Sequence, residues 1–444
     1  MSTVLFWFRQ DLRLHDQPAL HAALAGGPTH LLPVVCLPPA AEATPWGFER
    51  VGPHRRAFVS ATLQDLSAKL AALGHALIVC RAAPAQALPA LARAIGADTV
   101  VCEEVATPDE AAQVAALQAA GLRVQAVWHS SLLDPAALPW PVAGLPGVFT
   151  PFRQAVERAG IAPAAPLPAP ARLPAPPPLP AAVLQAVGAG RGSGRDAEAD
   201  VVGAASVSAG QEPRSSFPYA TPACRGGETA ALAHLAQYLA RGLPHHYKTT
   251  RDGLAGRDFS SKLSPWLATG ALSPRRVWAD LKAFEQEHGA SEGSYWLGFE
   301  LLWRDYFRLL HLQHGVMLYR ARGLSGPPLA PHDAQAFERW RLGCTGEPLV
   351  DAAMRELAGT GYLSNRLRQV AAGYLVHDLR GDWRAGAAWF ASQLVDYDPY
   401  SNQGNWLYIA GRGTDPRGGR RFDPVWQAQR HDPDGSYRRM WAAA

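Results

Sequence analysis

Cysteine is scarce in this chain of 444 residues, and a long apolar run is missing. The five cysteines are odd in number, widely spaced and never arranged as C-x-x-C, which excludes a disulfide framework and a zinc site and predicts buried free thiols. No uncharged apolar run of about 18 residues occurs, and Arg9 and Asp11 fall where a signal peptide needs an apolar stretch. The sequence therefore predicts a cytoplasmic protein without a membrane span.

A strong charge and the common phosphate-binding loops are also missing. The net charge of +4 is too small to identify a nucleic-acid partner, although a basic groove on one face is compatible with it. Neither G-x-G-x-x-G nor G-x-x-x-x-G-K-[ST] follows the first apolar run. A ligand of this domain must therefore be bound in another way.

The first 140 residues predict an α/β domain with a doubly wound parallel sheet. Five short apolar runs alternate with helical stretches: TVLFWF, HLLPVVCL, HALIVC, DTVVCEE and RVQAVW. Strands that alternate with helices are typical of parallel sheets. We expect this domain to span residues 1–140.

A linker and an all-α domain follow. Proline-rich and then glycine-rich and alanine-rich sequence predicts an interdomain linker over residues 141–217, extended at first and flexible later. Residues 218–444 carry apolar positions at helical spacing and ten of the fourteen tryptophans. The second domain is therefore predicted to be a helical bundle.

Three groups of residues in the helical domain are candidates for a site. Ser260, Ser261, Lys262 and Ser264 precede a predicted helix and could receive phosphate oxygens, or the serines could simply cap that helix. The second group shares one helix face and could line a cavity or form a core stripe with a Glu300–Arg304 surface pair: Glu300, Trp303, Arg304 and Phe307. The third combines amides, acids and aromatic rings, as in pockets for flat cofactors: Asn365, Arg366, Arg368, Gln369, Asp396, Asp398, Asn402, Asn405, Trp406 and Tyr408.

Two histidines have the spacing of metal ligands. His311 and His314 lie three residues apart, yet no nearby acid or cysteine completes a set. We interpret them as helix surface and expect no metal.

The order of the motifs resembles the photolyase and cryptochrome family, and within it the DASH cryptochromes. After the opening FWFRQDLRLHD, six motifs occur in family order: YKTTRD, SSKLSPWLATGALSPR, ELLWRDYF, TGYLSNRLRQ, DYDPYSNQGNW and QAQRHDPDG. The resemblance implies a helical FAD-binding domain and a deoxyribodipyrimidine photolyase, a carbon–carbon lyase. Such an enzyme splits cyclobutane pyrimidine dimers under blue light, chiefly in single-stranded DNA, by electron transfer from reduced FAD.

The resemblance also assigns cofactor and electron-transfer residues. Those implied to bind FAD are Tyr247, Ser260, Ser261, Lys262, Leu263, Ser264, Asn365, Arg368, Asp396, Asp398 and Asn402. Arg368 and Asp396 should pair over the flavin ring, and Asn402 should face its N5 atom. Trp406 and Trp383 match the inner and middle members of an electron relay. The outer tryptophan is absent from residues 325–335, so Tyr319 or Trp340 replaces it or the relay ends at Trp383.

The residues implied to contact DNA are Arg251, Glu300, Trp303, Arg304, Asn365, Gln369 and Tyr408. Among them Glu300 and Trp303, together with Asn402, are the implied catalytic residues. Gln369 and Tyr408 stand where ordinary bacterial photolyases tend to carry Met and Trp. A smaller stacking wall holds a flipped-out dimer less firmly, which suits a single strand because unstacking then costs least.

Two other functions remain open. One is a blue-light photoreceptor with vestigial repair activity, and the other is an electron-transfer flavoprotein without nucleic acid. The predicted lesion-pocket residues favour the repair enzyme, which we expect to be a monomer. The resemblance leaves open whether the N-terminal domain also binds an antenna such as 5,10-methenyltetrahydrofolate.

Overall fold

The computed structural model describes residues 2–37, 42–188, 190–191, 214–329 and 331–442. Its N-terminal domain contains one sheet with the strand order β5-β4-β1-β2-β3-β6. The strands are β1 (Thr3–Phe8), β2 (His30–Cys36), β3 (Ile78–Cys80), β4 (Thr99–Glu103), β5 (Arg123–Val127) and β6 (Gly190–Arg191). The first five are parallel, and β6 pairs antiparallel with β3. All five predicted strands and the doubly wound parallel sheet are confirmed.

Four helices connect the parallel strands: α1 (Pro18–Ala25), α2 (Pro53–Ala72), α3 (Pro84–Ile95) and α4 (Pro108–Ala119). Each begins with a proline, whose fixed φ and missing N–H suit the first helical position. The strand order reverses between β1 and β4. In doubly wound domains the carboxyl ends of the strands at such a reversal form a crevice that usually binds ligands.

The predicted linker contains regular structure in its described part. Helices α5 (Phe149–Arg158) and α6 (Ala181–Ala186) both lie within residues 141–217, as does β6. The prediction of a flexible later segment falls mostly on residues 192–213, which lie outside the described residues. The linker is therefore not simply a spacer, because its first helix packs against the second domain.

Residues 214–442 form the predicted helical domain, and no strand occurs in the described part of this range. Its helices are α7 (Glu228–Ala240), α8 (Tyr247–Thr250), α9 (Ser264–Thr269), α10 (Pro274–His288), α11 (Glu292–His314), α12 (Ala334–Arg341), α13 (Pro348–Thr360), α14 (Asn365–Gly373), α15 (Trp383–Gln393), α16 (Pro399–Ala410), α17 (Pro424–His431) and α18 (Ser436–Met440). A single π-helical turn, Tyr374–Asp378, extends α14. Four tryptophans are fully buried in this domain: Trp266, Trp340, Trp383 and Trp406.

Helix α11 covers the crevice of the N-terminal sheet. Arg308 forms an ion pair with Glu103, at the carboxyl end of β4, with 3.2 Å between nitrogen and oxygen. The two side chains are only 1 % and 0 % exposed. The Arg308 guanidinium also lies over the rings of Trp128 and Tyr400, 5.0 and 4.4 Å from their centroids. The domain interface therefore covers the carboxyl end of β4, on one side of the usual ligand crevice.

Neighbouring residues of α11 continue this interface. The carboxylate of Asp305 accepts the backbone N–H groups of Leu132 and Leu133 at 2.8 and 2.7 Å. From α16, the Tyr400 hydroxyl accepts the N–H of Ala106 at 2.8 Å. These bonds satisfy loop backbone groups that burial would otherwise leave unpaired. We call Glu103, Asp305, Arg308 and these loop contacts the interdomain seam.

The cysteines are all free thiols. Cys80, Cys102 and Cys224 are buried, but Cys344 is exposed, so the prediction of burial is wrong for Cys344. Among the described residues, no helix is both long enough and apolar enough to cross a bilayer.

Replacement of Arg308 by methionine tests the seam. Arg308→Met leaves the buried Glu103 charge unpaired, and we expect it to destabilise the protein by about 3–5 kcal/mol. Arg123→Gln is the matched control, because its partner Asp98 is exposed and such pairs contribute less than about 1 kcal/mol. Thermal and urea unfolding provide the measurement. Equal losses in the two variants would contradict the role of the seam.

Candidate cofactor and nucleic-acid site

Helices α14 and α16 and the turn before α16 converge on one cavity. The predicted residues that line it are Asn365, Arg368, Gln369, Asp396, Asp398, Asn402, Asn405 and Trp406. Sequence separation between the two helices is about 30 residues, so the fold brings together groups that the chain keeps apart. The cavity combines two amides on each helix, two carboxylates and an indole, as predicted for a flat polar ligand.

Side-chain caps fix the start of both helices. The Ser364 hydroxyl accepts the N–H of Leu367 at 3.4 Å and caps α14. Asp398 caps α16 by accepting the N–H of Ser401 at 2.7 Å, and Pro399 occupies the first helical position. Asn365 and Asp398 therefore reach the cavity from helix ends, where the backbone is well determined.

Arg368 and Asp396 form the predicted ion pair, with 2.7 Å between nitrogen and oxygen. The Ser264 hydroxyl donates to the same Asp396 oxygen, Oδ2, at 2.7 Å. The other oxygen, Oδ1, is buried and has no hydrogen-bond partner among the described residues. A free buried acceptor on the cavity wall fits a ligand that carries an N–H or O–H group.

The serine-rich segment before α9 has an unusual backbone. Ser260 and Lys262 both have left-handed φ angles, 62° and 56°. Helix α9 begins at Ser264 and has no side-chain cap, so the interpretation of these serines as simple caps is wrong for Ser264, which bonds to Asp396 instead. Backbone strain of this kind concentrates at ligand-binding segments.

Lys262 is a buried cation without a matching anion. Its side chain is 5 % exposed, and no carboxylate of the described residues lies within ion-pair distance. The ammonium lies 5.1 Å from the centroid of Tyr362. Burial lowers the pKa of Lys262 to about 8, and burial raises the pKa of nearby Glu356 to about 8. Because buried charges are normally paired, this site fits an anionic ligand group such as a phosphate.

Ser261 and Lys262 also line a cavity of about 330 Å³ with the basic residues Arg241 and Arg257. Leu263 is buried behind them. The donor set of this segment and of the first cavity together fits FAD: cations and hydroxyls for a diphosphate, and amides, Asp396 and Trp406 for a flat ring.

A second group surrounds Glu300. Arg251, which follows α8, forms an ion pair with Glu300. Burial raises the pKa of the Glu300 carboxyl, and the Arg251 guanidinium opposes this rise. Tyr247 is buried, and the nearby Glu300 contributes to raising its pKa. Lys248 pairs with Glu292, so the basic side chains near Glu300 lie among acidic partners.

The predicted surface pair of Glu300 with Arg304 is wrong. Glu300 pairs with Arg251, while Arg304 pairs with Asp398 at 3.3 Å. Arg304 also donates to the carbonyls of Ser130 and Leu267. Arg304 thus connects the N-terminal domain to the cap of α16, and these contacts give no support to a role in binding DNA.

Aromatic rings form the wall between α11 and α16. Trp303 stacks on Phe149 with ring centroids 3.8 Å apart and an interplanar angle of 13°. Tyr408 meets Trp303 edge to face at 6.4 Å, and both residues line a third cavity between α11 and α16. A Cβ atom on Gly404 would lie 2.1 Å from the ring of Phe307, so only glycine allows this approach of α16 to α11. The sequence analysis missed Phe149, since it lies in the predicted linker.

The two predicted relay tryptophans, Trp383 and Trp406, are both buried. The indole N–H of Trp383 donates to the carbonyl of Ala321 at 3.1 Å. A Cβ atom on Gly386, one turn after Trp383, would lie 2.2 Å from the Trp406 ring, which places Trp406 directly against this helix. Trp340 contacts Trp406, at 6.4 Å between centroids. Tyr319 instead bonds to His311. Residue 330 of the loop that lacks a tryptophan lies outside the described residues.

The prediction that the histidine pair lies on the helix surface is wrong for His311. It is 1 % exposed, and burial lowers its pKa to about 4. One ring nitrogen lies 2.7 Å from the Phe307 carbonyl, and the other lies 3.2 Å from the Tyr319 hydroxyl. The ring is therefore held as a neutral packing group.

Family models match both domains. Residues 4–173 match a model described as DNA photolyase, and residues 296–444 match one described as the FAD binding domain of DNA photolyase. Among curated relatives, a cryptochrome DASH of Synechocystis sp. is 40 % identical, with 99 % of this chain and 87 % of the relative covered. One of Gloeobacter violaceus is 41 % identical, with 99 % and 85 % covered.

Solved structures agree. A Synechocystis sp. cryptochrome has a TM-score of 0.86 at 38 % identity, covering 99 % of this chain and 88 % of that one. A class III photolyase from Agrobacterium tumefaciens has a TM-score of 0.78 at 31 % identity, covering 99 % and 86 %. Identity at this level over almost the whole chain, with the predicted fold and the polar cavity of the helical domain, leads to one conclusion. The chain belongs to the photolyase and cryptochrome family and resembles its cryptochrome DASH members.

Proposed function

We propose that this protein repairs DNA, splitting cyclobutane pyrimidine dimers under blue light, chiefly in single strands. The observation that carries the proposal is the ion pair of Arg251, which follows α8, with Glu300 on α11, the helix that also presents Trp303 opposite Tyr408. A carboxyl with a raised pKa, a guanidinium and two stacking rings suit a flat, uncharged pair of pyrimidines. The chemistry that bound FAD supplies is light-driven electron donation.

The residues of the three cavities have different roles in this proposal. Lys262 and the serines before α9 would hold the diphosphate, while Arg368, Asp396 and Asn402 would orient the flat ring. Trp303 and Tyr408 would stack on the extruded dimer. Glu300, which is paired with Arg251, would hydrogen-bond the pyrimidine edge of the dimer and hold it in place during splitting.

The preference for single strands follows from the cost of exposing the dimer. Extrusion of a dimer from a duplex costs a few kcal/mol of unstacking and unpairing. This cost is least when the dimer lies in a single strand. Tyr408 contacts Trp303 edge to face at 6.4 Å. Because its side chain has a single ring, it offers less stacking area than an indole at the same position would. A pocket of this kind suits substrates that are already unstacked.

The direct test is recovery of pyrimidines under blue light. Purified protein with reduced FAD should restore a dimer-containing single strand in the light and not in the dark, as measured by chromatography of the strand. The same lesion in a duplex should be repaired more slowly. No recovery in the light would refute repair and favour a photoreceptor with vestigial activity.

Substitution of Glu300 should slow the chemical step. Glu300→Ala removes the proposed hydrogen bond to the dimer, and we expect splitting per absorbed photon to fall about tenfold, because such a bond contributes about 1.5 kcal/mol. Glu300→Gln is the matched control, since its amide can still donate, and it should lose less. Flavin absorption should be unchanged in both variants. Loss of the flavin from Glu300→Ala would assign Glu300 a structural role instead.

Substitution of Trp406 should separate photoreduction from repair. Trp406 lines the same cavity as Asn402 and contacts Trp340, so Trp406→Phe should abolish light-driven reduction of oxidised FAD. Repair should persist when the flavin is reduced chemically beforehand, because that reaction does not need the relay. Absorption changes during illumination measure the first effect.

A comparison of Trp383 with Trp340 identifies the next relay member. If the relay runs through Trp383, Trp383→Phe should slow photoreduction and Trp340→Phe should have little effect. Undiminished photoreduction in Trp406→Phe would contradict the relay altogether.

A further inference from the structure

One exposed tryptophan lines none of the three cavities described above. Trp426, on the first turn of α17, is 51 % exposed, and its neighbour Val425 is 56 % exposed. It is the one tryptophan among the exposed large apolar side chains of the described residues. Tryptophan has the largest apolar side chain. An indole that is half exposed to solvent is therefore a candidate binding surface.

A free cation accompanies this ring. Arg430, one helical turn after Trp426, places its guanidinium 5.4 Å from the centroid of the indole. In the part of the chain that the structure describes, no carboxylate forms an ion pair with Arg430. The charge is therefore available to an anion that lies beside the ring.

Contacts connect α17 to the wall of the first cavity. Arg366 forms an ion pair with Asp252 at 2.8 Å and donates to the side chain of Gln369 at 3.2 Å. His431, at the end of α17, has its pKa lowered by burial and by the neighbouring Arg366 guanidinium. Trp426 precedes His431 by five residues, or about 7.5 Å along the helix. The His431 end of the helix that carries Trp426 is thus near Arg366, which bonds to Gln369 on the wall of the first cavity.

The surroundings of α17 are basic. Residues 412–439 contain seven arginines and four aspartates, whereas the whole chain has a net charge of only +4. This segment therefore has a local excess of three positive charges, although Arg417, Arg420, Arg421 and Arg438 are paired with aspartates. The charge that a phosphate would meet beside the indole is that of Arg430.

We propose that Trp426 stacks on a nucleobase of the single strand next to the dimer, while Arg430 contacts the adjoining phosphate. This inference rests on the proposed DNA repair function and extends its binding site beyond the lesion. An aromatic ring combined with an unpaired arginine is the usual pattern for sequence-independent binding of single strands. The contact makes the flanking strand part of the recognised substrate.

The test compares two lengths of damaged single strand. FAD-loaded protein is titrated in the dark with a dimer that has several nucleotides on both sides, and with a dimer trimmed to its nearest neighbours. Trp426→Ala should weaken binding of the long strand about 5- to 150-fold, the range of one base–aromatic stack, and leave the trimmed strand unchanged. Trp426→Phe keeps a ring and should lose less.

Two controls separate stacking from other effects. Val425→Ala removes an exposed apolar side chain without a ring and should not change either affinity. Arg430→Gln should lower the slope of log K against log salt by about one unit for the long strand. Together these results would support the proposed contact.

Two results would overturn it: an unchanged affinity of Trp426→Ala for the long strand, or an equal loss for both strands, which would indicate a structural effect. Failure of the proposed function looks different. A natural protein that shows the Trp426 dependence but never splits a dimer in the light would retain this surface as a nucleic-acid contact and refute only repair.

Discussion

The buried ion pair between Arg308 and Glu103 is the constraint on which the arrangement of the molecule depends. Two charges withdrawn from water are tolerated only if each has its partner, so the pair fixes how α11 docks on the carboxyl end of β4. The same helix carries Asp305, which holds the loop after β5, and Arg304, which holds the cap of α16. A crevice that binds ligands in many doubly wound domains is used here to position the helical domain.

Helix α16 lines both the polar cavity and the cavity beside Trp303, and this seam helps to orient it. It presents Asn402 and Trp406 to the first and Tyr408 to the second, where α11 contributes Trp303. Gly404 lets the two helices approach until the Phe307 ring touches the backbone. A cofactor site and a substrate site that share α16 have a fixed separation, and electron transfer between two bound partners needs such a fixed geometry.

The sequence was most informative where local chemistry and fold agree. Apolar runs marked the five parallel strands because buried strands need continuous apolar sequence, and the motif around Asp396 marked a pocket because acids and amides beside tryptophan are unusual in a core. Prediction from the sequence failed for side chains whose contact partners are distant along the chain. Helical spacing suggested that Glu300 pairs with Arg304, but tertiary contacts with Arg251 and Asp398 prevail. Phe149 lies in sequence rich in proline, and no local signal shows that it stacks on Trp303.

The central claim is that the polar cavity of the helical domain holds FAD. The measurement that tests it most directly is the absorption spectrum of the purified protein, with the flavin released and quantified. The account predicts blue-absorbing flavin bands and equimolar FAD, with marked loss of flavin in Asp396→Asn because the Arg368 and Ser264 contacts converge on that carboxylate. A colourless protein that takes up no added FAD would contradict it.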